Sequence, residues 1–264
     1  MQVRKNTLEN QYNLREYLAF LGASVLEDEK SVFVGTGLPI IASMLAQKTH
    51  APGLLILFEA GGIGPLLPEL PVSVGESRTY YRGIAASSMH DVMSLSQAGY
   101  VDFGFLGAAQ IDIHGNINTT VIGNHDLPTV RLPGSGGAND AGSFSQRLII
   151  IIANQSKRTF VDKVDFLTTA GYLDGPESRE KAGLPKGSGP YRVITQLGVY
   201  GFDEGTKRLK LISLHPHSSV DEVKGNSSFD IIIPDKIKRS PEPSKEDLRI
   251  LREEIDPAGI VLGK

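Results

Sequence analysis

Two short apolar runs, Ser31-Val32-Phe33-Val34 and Leu54-Leu55-Ile56-Leu57-Phe58-Glu59, decide the fold. Between them lie the turn Gly35-Thr36-Gly37-Leu38-Pro39 and a stretch of helical periodicity from Ile40 to Lys48. Lys48 and His50 put positive charge near the end of that stretch, where a helix dipole favours it. Strand, helix and strand of this length make a βαβ unit, so the two strands should run parallel with a right-handed crossover. Glu59 closes the second strand, and Ala60-Gly61-Gly62 then turns the chain. A carboxylate is thereby set at the C-terminal edge of a sheet, where open α/β folds place their ligand sites. A buried anion is costly unless it is paired or used. The plainer alternative is a strand-end glutamate held by backbone N–H groups.

The rest of the chain extends this unit. Leu14 to Leu26 shows near-helical apolar spacing despite Gly22, and Met89 to Gln97 reads as another helix. Tyr100 to Leu106 reads as a strand. Leu148 to Ala153 is apolar on both faces, as a central parallel strand is. Thr159 to Leu167 and Tyr191 to Phe202 suggest further strands, and Pro176 to Pro190 an ordered loop. His114 to Thr119 reads as a Gly-Asn turn into an exposed strand. Lys238 to Ser244 resembles a tether, and Ser244 with Asp247 a capping box that opens a helix stopping at Pro257. The expected class is α/β, an open and mostly parallel sheet flanked by helices. Residues 1–264 are expected to form one domain, with 238–264 a C-terminal tether and helix packed on its outside.

Bulk properties narrow the functions. The chain has 264 residues, 40% hydrophobic, which suffices for a sizeable core. A formal net charge of −3 and the lack of a long basic block argue against a nucleic-acid partner. With no cysteine there is no disulfide framework, thiolate nucleophile or cysteine zinc site, which suits a reducing cytosol. Met1 to Tyr12 is polar and lacks the apolar core of a signal peptide. Leu148 to Ala153, the longest greasy run, is too short to cross a bilayer. A cytoplasmic protein without a membrane partner is expected.

Three glycine-bearing segments invite chemistry. Gly35-Thr36-Gly37 joins a strand to a helix, so its N–H groups can hold phosphate or carboxylate, though a tight structural turn is the plainer reading. It has neither the Walker ending nor the dinucleotide fingerprint. Gly107-Ala108-Ala109-Gln110-Ile111-Asp112 follows a strand with small residues that admit close approach, and Gln110 offers both donor and acceptor; a polar strand cap is the alternative. Gly134-Ser135-Gly136-Gly137-Ala138-Asn139-Asp140 carries three glycines in four positions. Such a stretch is costly to order, and suits N–H groups aimed at an anion or oxyanion, against a flexible surface loop. The six histidines form no i, i+4 pair and no H-E-x-x-H pattern, so no metal site is expected. His215-Pro216-His217 reads as a solvated loop. No G-x-S-x-G elbow occurs.

In this order the segments resemble the β subunits of family I CoA-transferases of the glutaconate type. The matching residues are Val34 to Pro39, Phe58-Glu59-Ala60-Gly61, Gly107 to Asp112 and Gly134 to Asn139, then Asp162-Lys163-Val164-Asp165, Asp174-Gly175-Pro176 and Arg252 to Pro257. The resemblance runs from about Leu14 to the C-terminus. Ala60 stands where serine is common in the nearest relatives, and Ala108 where glycine is.

The resemblance implies that Glu59 is the nucleophile. It also implies that Gly136, Gly137 and Ala138, with Gln110, serve the thioester carbonyl and CoA. Gly35 and Gly37, from their place before a helix, are the candidates for an anion-binding turn. A carboxylate attacks a thioester when donors hold its carbonyl oxygen, and covalent catalysis divides the transfer into easier steps through a glutamyl-CoA thioester. Ping-pong kinetics follow, with no metal or redox cofactor and with coenzyme A as substrate carrier. The implied partners are a homologous α subunit, an acyl-CoA and a carboxylic acid. A CoA-thioester hydrolase or decarboxylase of the same family, or a non-catalytic scaffold subunit, are the alternatives.

Overall fold

The computed structural model describes residues 12–263. The stretch read above for targeting signals lies, apart from Tyr12, outside the described residues. Helix α1 (Leu14–Ala23) starts in a capping box made by Asn13 and Glu16. Strand β1 (Ser31–Val34), helix α2 (Leu38–Lys48) and strand β2 (Leu55–Phe58) follow. α2 starts two residues before the periodicity suggested, because Pro39 sits in its first turn, where a missing N–H costs nothing. β1 and β2 pair in parallel, Ser31 opposite Leu55 through Val34 opposite Phe58.

Next come β3 (Gly62–Ile63), a 3₁₀ turn (Ser77–Tyr80), β4 (Ala85–Ala86), α3 (Met89–Gln97) and β5 (Phe103–Gly107). Two small hairpins, β6 (Gln110–Ile111) with β7 (Ile117–Asn118) and β8 (Val121–Gly123) with β9 (Pro128–Arg131), lead to α4 (Ala138–Phe144) and β10 (Arg147–Ile152). The chain continues through α5 (Ser178–Lys181), β11 (Gly189–Thr195), β12 (Gly198–Phe202), β13 (Leu209–Leu214), α6 (Val220–Gly225) and β14 (Lys238–Arg239). Helix α7 (Lys245–Arg249) opens at the Ser244–Asp247 capping box and passes into a π-helical stretch, Ile250–Ile255.

The main sheet has ten strands in the order β14-β13-β12-β11-β10-β5-β1-β2-β3-β4. Its central block β11-β10-β5-β1-β2 is parallel throughout, and β12, β13, β3 and β4 add antiparallel flanks. Alternation along each strand assigns side chains to two cores. Val32, Val34, Ile56, Phe58, Phe105, Ile149 and Ile151 face α1, α2 and the C-terminal helices. Phe33, Leu57, Leu106, Leu148, Ile150 and Ile152 face the other side, with Val92 of α3, Ala141 of α4 and Val223 of α6. Each such side chain contributes roughly 1.5–3 kcal/mol, so runs apolar on both faces anchor the centre of the sheet.

Several expectations are corrected. Thr159 to Leu167 is not a strand beyond a bridge of Phe160 to Ile111. Asp162 and Lys163 are exposed there or nearly so, and the Asp165 N–H donates to the Gln110 amide oxygen rather than to a ladder. Tyr191 to Phe202 is a hairpin, turned where the Thr195 hydroxyl accepts the N–H groups of Leu197 and Gly198. Pro176 to Pro190 contains α5 and the start of β11. The strand after His114 is buried, because β7 pairs with β6 and Ile117 enters the second core. Lys238 and Arg239 are an edge strand within the supposed tether. The C-terminal helix is not merely external, since Leu248, Ile250, Leu251 and Ile255 complete the first core. His215 is 3% exposed rather than solvated. Its Nε2–H donates to the Thr195 carbonyl at 2.7 Å, and the Ser240 hydroxyl donates to Nδ1 at 2.9 Å. Among the described residues no helix is long and apolar enough to cross a membrane.

Candidate active site

Register alone brings the site residues to one sheet edge. Val34 lies opposite both Phe58 and Phe105, so one step further Gly35 sits between Glu59 and Leu106. Alternation puts Glu59 on the side of Leu57, the face covered by α3 and α4. There its half-buried carboxylate accepts the backbone N–H of Gly137 on Oε1 at 3.0 Å.

Gly137 is the N-cap of α4, and its close fit explains the residue type. A Cβ there would stand 2.6 Å from Met93 Cε and 3.1 Å from Glu59 Cδ and Oε1, so a side chain at this position has to push both the methionine end and the carboxylate aside. The preceding loop is fixed by Thr119, which accepts the Gly134 N–H on its carbonyl and donates its hydroxyl to the Gly134 carbonyl. The loop read as a possible flexible surface segment is therefore tethered at both ends.

The turn after Glu59 is equally constrained. Gly61 has φ +116°, and a Cβ there would overlap the Ser87 carbonyl oxygen. Its N–H donates to Phe58 and its carbonyl accepts from Ser87, while the Tyr80 hydroxyl donates to the Ala60 carbonyl. Ser87 and Ser88 also donate their hydroxyls to Asp91, the capping box of α3, and hold the Asp91 carboxyl down at about 2. One segment thus anchors both the Glu59 turn and the helix that carries Met93.

The other sequence-derived site residues are placed as follows. Gly136 is exposed, with φ +49°, and a Cβ on it would lie 3.8 Å from Glu59 Oε1. Ala138 donates its N–H to the Ser135 carbonyl. Gly35 donates its N–H to Phe105, and Gly37 caps α2 with φ +82°. Gln110 is buried: its Nε2 donates to Asp165, and its Oε1 accepts from Asn118 and from the Asp165 N–H. Gly123 also donates to Asp165, so Gln110 ties β6, β7 and the β8 hairpin together. Sequence reasoning missed Met93, Tyr80 and Ser87. Met89 and Met93 stand at helical spacing like ordinary packing residues, and nothing local marks the other two. Among the described residues no cluster of three or more His, Asp or Glu side chains could hold a metal ion. A concavity of about 380 Å³, between Tyr12, Glu16, Arg252 and Asp256, includes neither Glu59 nor Gly137.

The fold and site together define an open α/β protein with a glutamate held by a glycine loop at the C-terminal edge of its sheet. Residues 18–226 match the model for Coenzyme A transferase, and the chain belongs to that family. It is 38% identical over 243 residues to the B subunit of 3-oxoadipate CoA-transferase from Pseudomonas knackmussii, covering 91% of this chain and 92% of that one. It is 36% identical over 253 residues to the B subunit of glutaconate CoA-transferase from Acidaminococcus fermentans, covering 93% of each. The crystal structure of glutaconate coenzyme A-transferase from Acidaminococcus fermentans superposes with a TM-score of 0.90 at 34% identity, covering 96% of this chain and 98% of that one.

Proposed function

We propose that this chain is the β subunit of a CoA-transferase that moves CoA between an acyl-CoA and a carboxylic acid through a glutamyl-CoA thioester on Glu59. The observation that carries the reading is the Glu59 carboxylate at the sheet edge, held by the Gly137 N–H in a chain of this family.

The Glu59 carboxylate attacks the thioester carbonyl carbon; the C–S bond breaks, CoA thiolate departs and an acyl-glutamyl anhydride remains. The thiolate then attacks the Glu59 carbonyl carbon of the anhydride, which releases the first acid as a carboxylate and leaves the glutamyl-CoA thioester. The acceptor carboxylate attacks that thioester and regenerates an anhydride and thiolate. The thiolate takes the acceptor's acyl carbon, and Glu59 returns as a carboxylate. No proton, metal or redox equivalent is required, and coenzyme A is carried rather than consumed. The N–H groups of Gly136, Gly137 and Ala138 serve the oxygen on which charge develops, Ala138 by releasing Ser135, and Gln110 supports that side of the site. The Gly35–Gly37 turn holds an anionic group of the substrate.

Both relatives are B subunits of CoA-transferases, which supports a homologous α chain as partner, with Glu59 at the junction and part of the acid pocket supplied in trans. Residues 1–264 act as one unit in this reading, and a cysteine-free chain suits the cytoplasm. The test is exchange between labelled acid and acyl-CoA by the αβ complex. Glu59→Ala and Glu59→Gln are both expected to abolish it. Full exchange in Glu59→Gln favours a scaffold role, and thioester consumption without exchange favours a hydrolase or decarboxylase.

A further inference from the structure

Arg179 is 3% exposed, and among the described residues no carboxylate pairs with it. All five of its N–H donors are nonetheless used. Nη2 donates to the carbonyls of Gly142 at 2.8 Å and Ser143 at 2.7 Å. Nη1 donates to the carbonyls of Ala170 at 2.9 Å and Gly171 at 3.0 Å, and Nε to the Ser188 hydroxyl at 3.2 Å. A buried cation without an anion is expensive, and burial pulls Arg179 down to about 10. A residue kept at that cost has a task that an apolar side chain could not perform.

The acceptors locate the task. Gly142 and Ser143 lie in the last turn of α4, whose carbonyls lack intrahelical partners and whose end favours a cation. Ala170 and Gly171 follow Thr169, which is hydrogen-bonded in both directions to Ile117 of β7. Gly142 packs so closely on Thr169 that a Cβ would overlap its Cγ2. One guanidinium thus clamps the C-terminal end of α4 to the β7 framework. The other end of α4, at the start of the same short helix, is Gly137 with its N–H on Glu59. Two helical turns of about 10 Å are marginal alone and take their position from what holds their ends.

We propose that Arg179 is a positioning residue that holds α4 so that the Gly137 N–H is aimed at the reacting carboxyl of Glu59. This rests on Glu59 being the nucleophile. The test uses the αβ complex carrying R179K or R179M, compared with the unaltered complex. Lysine keeps the charge but has three donors on one atom and cannot span both sides of the clamp. Both variants are expected to lower kcat about tenfold to a hundredfold, with KM for acyl-CoA changed by less than about twofold. Amide exchange should rise across 134–144 while the β1 and β2 amides stay protected. A merely structural residue would lower stability with kcat per assembled complex unchanged. Wild-type kcat in assembled R179K overturns the proposal, and that variant decides the matter if R179M does not assemble. If the unaltered complex forms no adduct on Glu59, the reading of Glu59 fails. The Arg179 proposal then falls with it, whereas an adduct on Glu59 together with wild-type kcat in R179K overturns the Arg179 proposal alone.

Discussion

The backbone N–H of Gly137 donates to Oε1 of Glu59 across 3.0 Å, joining positions 78 apart in the chain. The donor belongs to the start of α4 and the acceptor to the end of β2, so the contact reports how two layers of the fold are set against each other. In the resting chain it restrains the carboxylate. In the proposed transfer the same N–H would serve the oxygen of whichever carbonyl Glu59 makes or breaks.

Gly137→Ala tests that contact. The added Cβ would stand 2.6 Å from Met93 Cε and 3.1 Å from Glu59 Cδ. The methionine end can swing aside, but the N–H and the carboxyl must separate. Transfer is expected to slow by about a hundredfold with little loss of folding stability. Steady-state exchange measured beside a urea titration separates the two effects.

Gly61→Ala acts on the backbone instead. At φ +116°, with the Ser87 carbonyl in the way, no side chain fits without moving the turn. A loss of roughly 1–3 kcal/mol or more in stability is expected, together with loss of transfer. Wild-type stability in this variant would contradict the close packing of residues 61 and 87.

Much of this site was legible because it rests on fully buried strands. β1, β2 and β10 are apolar on both faces, which few other structures explain, and Glu59 follows one of them directly. Less legible were elements whose existence depends on distant partners. β6 to β9 are two to four residues long and are defined by pairing, not by pattern. Several residues that carried the resemblance turn out to shape the framework. Asp165 gathers Gln110 and Gly123, Arg252 pairs with buried Glu16, and Asp256 accepts the N–H groups of Ile260, Val261 and Leu262. A motif read from sequence does not separate such duties from contact with substrate, because both need a fixed polar residue.

His215 gives the fold a defined acid response. Burial lowers its pKa to about 4, against about 6.5 for a free imidazole, and Tyr17 packs edge-on against it. Between those values the unfolded chain binds a proton that the folded chain refuses. The stability it contributes is therefore full above pH 6.5 and is lost as pH falls towards 4, by about 3 kcal/mol. His215→Gln keeps an amide donor for Thr195 and should flatten that part of the profile. Urea midpoints at pH 7.5 and pH 5 check it; equal slopes for both proteins would contradict the assignment.

Covalent transfer through Glu59 is tested most sharply by peptide mass spectrometry of the αβ complex after brief exposure to acyl-CoA thioesters. A CoA adduct is expected on the peptide carrying Glu59, discharged by free carboxylic acid and absent in Glu59→Gln. Thioester consumed with no adduct on Glu59 would contradict the mechanism.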